Sequence, residues 1–382
     1  MSENFKLKLG QKLKLVREKL GLTLEKVAAK LEFENYQTLS AIENGLRNIK
    51  AEELARLSKI YFRDITFFLN LDEEEETNDL VFWRECKNMG QAKEKEQEFR
   101  KYCYNYYELE KKLGLPYQCK LNPLDLKADD FDYGKIEEIA EQNLNLMQLG
   151  SRPACSLRKI LEEKYNLKIL YYDLGNCGSA ASSVGNFGAA VLINSSEPLW
   201  RRNFDLAHEL FHILTWKIFR HDDVHTKDNE KSLVEKWADA FAASLLMPAT
   251  EIPKEFKARL DQEGKISLVD VISIAKEFEV STVALMWRLV TLSLLSRNTV
   301  EKVLALHEFV EIDRVERINH NKTAPDFSEK YVSLAFQAHA KDLISKGKLA
   351  EFLNITIGDV SKKLAGYGYC LEEISDAKLT PA

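Results

Sequence analysis

The sequence predicts a mainly α-helical chain: a bundle of short helices first, then an α+β body with a small sheet, then a helical C-terminal region. Three observations predict this. Apolar residues recur at three- and four-residue spacing along most of the chain, the signature of helices buried on one face. Strand character is confined to short stretches such as "KILYYDL" and "GAAVLIN". An acidic run at 71–80, "LDEEEETNDL", separates the head from the rest of the chain. The expected divisions are 1–70, a linker and coupling helix over 71–133, a body over 134–300 and a tail over 301–382.

Composition narrows the class. The 382 residues are 45% hydrophobic and 30% charged, ordinary values for a soluble globular protein. No run approaches the length of a transmembrane helix, and "MSENFKLKLGQKLK" lacks the apolar core of a signal peptide, so a cytoplasmic location without a membrane partner is expected. Six cysteines stand singly, with no CxxC pair, so neither a disulfide framework nor a cysteine zinc site is indicated. The net charge of −6 argues against wholesale coating of nucleic acid. Its distribution is uneven: residues 1–70 hold 13 lysines and arginines against 9 acids, leaving 41 against 51 for the rest. A locally basic head on an acidic body fits a small DNA-binding module joined to something else.

In the head, Leu13, Val16 and Leu20, then Leu24, Val27, Ala28 and Leu31, then Leu39 and Ile42, then Leu54, Leu57 and Tyr61 mark successive helices. Gly21 stops the first, Thr23 suits the N-cap of the second, and Gly45 ends the third. With "GLTLEKVAAKL" and "YQTLSAIENG" as its two motif helices, the stretch 8–70 resembles the Cro-like XRE family of helix-turn-helix regulators. The resemblance implies a double-stranded DNA operator as partner, with the second motif helix in the major groove. Asn35, Tyr36, Gln37, Thr38 and Ser40 would then meet bases or phosphates, with Arg47, Asn48 and Lys50 near the DNA backbone. A homodimer is expected because operators read by such heads are usually two-fold. Glu43 is expected to cap or pair internally. Two departures stand out. Leu24 replaces a polar residue usual in the family, and the turn "EFENYQ" is one residue longer, with Glu32 and Glu34 in it.

"QAKEKEQEFRKYCYNYYELEKKLG" reads as one long helix ending at Gly114, a loop-like stretch comes next, and another helix is expected over 134–147. In the body, "SLRKILEEKYNLKILYYDL" reads as helix then strand, "CGSAASSVGNFGAAVLINSS" is rich in small residues around the strand "GAAVLIN", and "LWRRNFDLAHELFHILTWKIF" turns helical. On that last helix His208 and His212 stand at i and i+4, on one face one turn apart, where two imidazoles can hold one Zn²⁺. Glu209 beside them suits a general base. Ala207, Leu210, Phe211, Ile213 and Leu214 make the helix apolar enough to be buried, and buried polar groups need partners.

A zinc site needs a third protein ligand. A metzincin would place glycine and histidine where Thr215 and Ile218 stand, so that class is excluded. His221 and His225 in "RHDDVH" are candidates on a polar loop. Glu235, in "EKSLVEKWADAFAASLLMP", is the better one, and Asp239 at i+4 from it can accept the distal N–H of a ligand histidine. "RRNFDLAHELFH" followed by "EKWADAFAASLLMP" resembles the ImmA/IrrE-type metallopeptidases, over roughly residues 135–300. The resemblance implies His208, His212 and Glu235 as zinc ligands, Glu209 as catalytic base, and a gluzincin-like helix pair on a small sheet. The family commonly has glycine at Phe211 and asparagine at Asp239. Cys177, in the small-residue segment before "GAAVLIN", is a candidate thiolate for silencing the zinc.

The tail carries two helix-turn-helix spacings, with Ser267 and Ser281, then Ser345 and Thr356, as N-caps. Neither second helix is dense in basic and amide side chains, so both are expected to pack against protein. The functional expectation is a DNA-binding regulator with a zinc-dependent endopeptidase domain that cuts a repressor-like or toxin/antitoxin partner. The alternatives are an antitoxin or transcription factor whose peptidase fold serves mainly protein interaction, and a peptidase whose head docks its substrate.

Overall fold

A computed structural model describes residues 3–19, 22–61, 65–69, 81–84, 89–219, 232–317 and 324–370. The chain forms two compact units, one of residues 1–78 and 89–105, the other of residues 79–88 and 106–382. The acidic run at 71–80 and the loop bearing His221 and His225 lie outside the described residues.

The first unit begins with five helices: α1 Glu3–Lys19, α2 Leu24–Lys30, α3 Tyr36–Glu43, α4 Ala51–Ile60 and α5 Ile65–Leu69. Most of the apolar positions that predicted the first four form one core, with Leu13, Val27, Leu39, Leu57 and Tyr61 fully buried, while Leu20 and Gly21 lie outside the described residues. α2 starts at Thr23, whose hydroxyl accepts the Lys26 N–H, and α3 at Asn35, whose Oδ1 accepts the Thr38 N–H. Each cap satisfies an N–H that the first helical turn leaves without an intrahelical partner. At Gly10, α1 comes so close to α3 that a Cβ would lie 2.4 Å from the Ile42 carbonyl oxygen, so only glycine allows this approach. Glu43 pairs internally, as its place in "IENG" suggested: the Arg17 guanidinium donates to both its oxygens at 2.7 and 2.8 Å, and to the Leu22 carbonyl at 3.0 Å.

The long helix α6 spans Met89–Lys112, and Gly114 comes after it with a left-handed φ of 67°. In the second unit, α7 Tyr133–Met147 and α8 Pro153–Glu163 precede three of the strands of a four-stranded sheet. Its strands are β1 Val81–Arg84, β2 Lys168–Tyr172, β3 Ala180–Gly185 and β4 Gly188–Asn194, in the order β1-β3-β4-β2. β3 runs antiparallel to both β1 and β4, and β4 runs parallel to β2. β4 is buried along its whole length, which explains why it reads as a continuous apolar run. The β3–β4 connection is a two-residue hairpin that places Gly185 opposite Gly188.

α9 Leu199–Leu214 packs on β3 and β4, and α10 Leu233–Leu246 packs on α7 and α9. Six further short helices come next: α11 Ile252–Ala258, α12 Leu268–Glu277, α13 Thr282–Thr291, α14 Arg297–Leu304, α15 His307–Arg317 and α16 Glu329–Ala340. α17 Lys346–Phe352 and α18 Val360–Ala365 close the described chain. Ser267, Ser281 and Ser345 cap their helices as expected, each hydroxyl accepting an N–H three residues on. Thr356 does not: its hydroxyl turns to the Asp359 carboxylate at 2.6 Å, at the start of a 3₁₀ turn.

The mainly helical architecture with a small sheet is therefore present, with three local differences. The "SAASSVG" stretch pairs as β3, although alanine, serine and glycine carry little strand propensity; neighbours on both sides recruit it. Residues 81–84 form β1, a strand the sequence did not announce. The zinc-motif helix stops at Leu214, where the Thr215 hydroxyl bonds back to the Phe211 carbonyl, so "TWKIF" leaves the helix.

Candidate metal centre and nucleic-acid face

α9 and α10 build one constellation. Ser232 caps α10, its hydroxyl accepting the Glu235 N–H at 3.2 Å, and so fixes Glu235 in the first turn. A carboxylate is favoured there by the partial positive charge of the helix N-terminus. One turn on, Asp239 shares the face of Glu235. On α9, His208 and His212 are 0% and 4% exposed. Their Nε2 atoms are 3.1 Å apart, and the Glu235 carboxylate stands 3.2 Å from the first and 3.1 Å from the second. These three side chains can hold a metal ion, each offering one ligand atom. Cys177 is not among them.

The proton inventory favours a cation. His208 Nδ1 lies 2.9 Å from Asp239 Oδ1, and an ionised carboxylate only accepts, so Nδ1 carries the hydrogen. The Nε2 atoms of both histidines and the Glu235 carboxylate then meet in a buried site, where a proton or a metal ion must lie among them. The spacing suits a small tetrahedral ion: bonds of ~2.0–2.1 Å require ligand atoms about 3.3 Å apart. Burial pushes the Glu235 carboxyl up, but the facing His208 and His212 outweigh it and hold the group well below the usual carboxylate range. Glu209 follows His208 in the chain and is 1% exposed.

The surroundings contain contacts invisible to sequence spacing. Arg288 of α13 donates to the Glu137 carboxylate of α7 and, through Nε at 3.0 Å, to the Met247 carbonyl. Ser244 of α10 adds its hydroxyl to the same carboxylate. This clamp ties α7, α10 and α13 together. No local signal could have found it, because Glu137 and Arg288 lie 151 residues apart. Asp205, fully buried on α9, is paired with Arg201 at 3.3 Å.

In the head, Tyr36 and Gln37 are exposed at the start of α3, and Thr38 and Ser40 are half-buried. Asn35 is held as the N-cap, with both the N–H and the hydroxyl of Thr38 on its Oδ1. Asn48 and Lys50 are exposed. Arg47 is committed to Glu53 through two bonds of 2.8 and 3.2 Å and lies over the Phe33 ring, so a phosphate there would have to share it. Leu24 packs partly buried against the core, which accounts for an apolar residue where the family has a polar one. Glu32, with φ of 60°, pairs with Arg56 at 2.9 Å.

A bundle with a capped second motif helix and a helix pair bearing two histidines and a glutamate define the class: a helix-turn-helix DNA-binding domain joined to a domain of a peptidase family. Family comparison agrees with both parts. Residues 13–68 match the helix-turn-helix family, and residues 162–290 match the family described as IrrE N-terminal-like domain. Each match covers part of the chain: residues 13–68 are similar to XRE-type helix-turn-helix domains and residues 162–290 to ImmA/IrrE-like peptidase-family domains. No curated protein and no solved structure matches it. Among the described residues, no helix is long and apolar enough to cross a membrane.

Proposed function

We propose that this protein is a cytoplasmic transcriptional regulator whose second unit is a zinc-dependent endopeptidase acting on a repressor-like or antitoxin-type protein. One observation carries the reading: His208 Nε2, His212 Nε2 and the Glu235 carboxylate converge within 3.2 Å of one another, with Glu209 on the same helix. His208, His212 and Glu235 would hold the ion. Zinc so bound is a Lewis acid for a peptide carbonyl and lowers the pKa of a water to about 7. Asp239 accepts the Nδ1–H of His208, which fixes the tautomer and aims Nε2 at the site. Glu209 takes the proton of the attacking water on a carboxylate oxygen and delivers it to the leaving amine nitrogen. Burial of His208, Glu209 and His212 keeps bulk water from competing for these groups.

The head reads an operator through Tyr36, Gln37, Thr38 and Ser40, with Asn35 ordering the helix start and Arg47, Asn48 and Lys50 near the phosphates. A two-fold operator calls for a homodimer. The test is co-expression with proteins encoded beside the gene, comparing the wild type with Glu209→Gln. A partner cut by the wild type alone supports the reading. A partner cut by both, or by neither under any stress condition, overturns it.

A further inference from the structure

A cavity of about 530 Å³ lies in the second unit where α7, α9, α10 and α13 meet. That volume falls within the ~300–1,000 Å³ of small-molecule sites. Tyr133, Trp200, Phe204 and Trp287 supply aromatic walls, and Ala240, Ala243 and Ala284 are too short to fill the space between them. His208, Glu209, His212 and Glu235 do not line the cavity, but Asp239 does. The Asp239 side chain stands between the two places. Its Oδ1 meets His208 Nδ1 at 2.9 Å, across the ring from the Nε2 that faces His212 and Glu235, and the rest of the carboxylate opens to the cavity.

Charge and ring chemistry select the occupant. Arg288 pairs with Glu137, and Arg201 with Asp205 at 3.3 Å. With Asp239 the group holds three carboxylates against two guanidinium groups, a net charge of −1. The Arg288 side chain is 2% exposed and that of Glu137 37%, so the cavity meets the carboxylate of this pair more than the guanidinium. The Trp287 ring already takes a cation, the Arg297 guanidinium, 5.7 Å from its centroid. We propose that this cavity is an effector site for a small organic cation, a primary ammonium carried on a flat aromatic body. The body packs among the four rings, and the ammonium meets the Asp239 carboxylate. An ammonium on Asp239 weakens the acceptor that fixes the His208 tautomer. The occupied cavity therefore lowers zinc affinity, and zinc lowers affinity for the cation by the same factor. The cation site stands apart from the peptidase reading; its effect on zinc rests on the metal site of that reading alone.

The experiment uses the full metal-free chain at neutral pH and two probes of one skeleton and opposite charge, 4-phenylbenzylamine and biphenyl-4-carboxylate, in titration calorimetry. The amine is expected to bind at least about tenfold more tightly than the carboxylate. Equal binding, tighter binding of the carboxylate, or no binding of the amine overturns the proposal. Ala284→Phe and, separately, Ala243→Phe place a ring in the cavity. Either variant, melting within about 3 °C of wild type, should lose at least about tenfold in affinity for the amine. Amine binding unchanged in both overturns the location. The effector role is read by competition for zinc with a chromophoric chelator, with and without saturating amine. Zinc affinity is expected to fall about three- to tenfold in the wild type and to stay constant in Ala284→Phe, which separates the cavity from amine bound directly to zinc. An unchanged affinity in the wild type, or an equal fall in both chains, overturns that role. A wild type that takes the amine but no zinc overturns the effector role together with the metal reading, whereas failure to cut any partner refutes the peptidase reading alone.

Discussion

Substitution of Asp239 tests the metal centre at the point where the structure is most explicit. His208 is fully buried, and its Nδ1–H meets the Asp239 carboxylate at 2.9 Å. Asp239→Ala leaves that N–H without its acceptor and the ring without a fixed tautomer, so part of the population aims N–H, not a lone pair, at the site. Removal of such a partner lowers metal affinity 10–100-fold, or about 1.4–2.7 kcal/mol. Asp239→Asn keeps an oxygen acceptor but loses the charge, and the charge is worth less because the Asp239 side chain is 28% exposed. Its expected loss is smaller, no more than about tenfold. The assay is competition for zinc between the metal-free full chain and a chromophoric chelator at neutral pH, with Ala240→Ser as a control on the same helix. Zinc affinity in Asp239→Ala within twofold of wild type would refute the assigned role of this carboxylate.

Three further outcomes are expected. Glu43→Gln should destabilise the head by about 3–5 kcal/mol, because Arg17 keeps its buried charge without a carboxylate; the double change Arg17→Met/Glu43→Leu should recover much of the loss in denaturant unfolding followed by circular dichroism. Burial pushes the Glu162 carboxyl up to about 7 from its ordinary 4.5, so the folded chain keeps a proton there that the unfolded chain releases. The stabilisation from this group is complete below pH ~4.5 and is lost as pH rises through about 7, a change on the order of 3 kcal/mol. The difference in melting temperature between wild type and Glu162→Gln, measured from pH 4.5 to 8, should follow that window; a pH-independent difference would sink the assignment. Gln37→Ala/Thr38→Ala should weaken operator binding by about 1–3 kcal/mol for each hydrogen bond to a base that it removes, in electrophoretic shifts at low salt, with little change in melting temperature. Absence of any DNA binding by the wild type at low salt would contradict the DNA-reading role.

Much of the molecule was legible locally. Helical periodicity marks α1 to α4, and the caps at Thr23, Ser267, Ser281 and Ser345 lie where hydroxyl residues precede apolar stripes. The i, i+4 pairs His208/His212 and Glu235/Asp239 are local facts of helix geometry, so the sequence alone could place each pair on one face. Thr356 shows the limit of such signals, since an acidic neighbour took its hydroxyl.

Tertiary structure was needed for everything that depends on two distant segments meeting. The spacing of His212 and Glu235 in the chain does not say that their ligand atoms stand 3.1 Å apart; the packing of α10 on α9 does. β3 is a strand because β1 and β4 supply hydrogen-bond partners on either side, although its own residues favour no such state. The Glu137–Arg288–Ser244 clamp joins three helices across the fold. The sequence by itself determined the helices, their faces and the chemistry of the candidate ligands, because those follow from backbone periodicity and side-chain type. Tertiary structure alone decided which faces met, which strand closed the sheet, and that two histidines and a glutamate share one point, because long-range packing sets those distances.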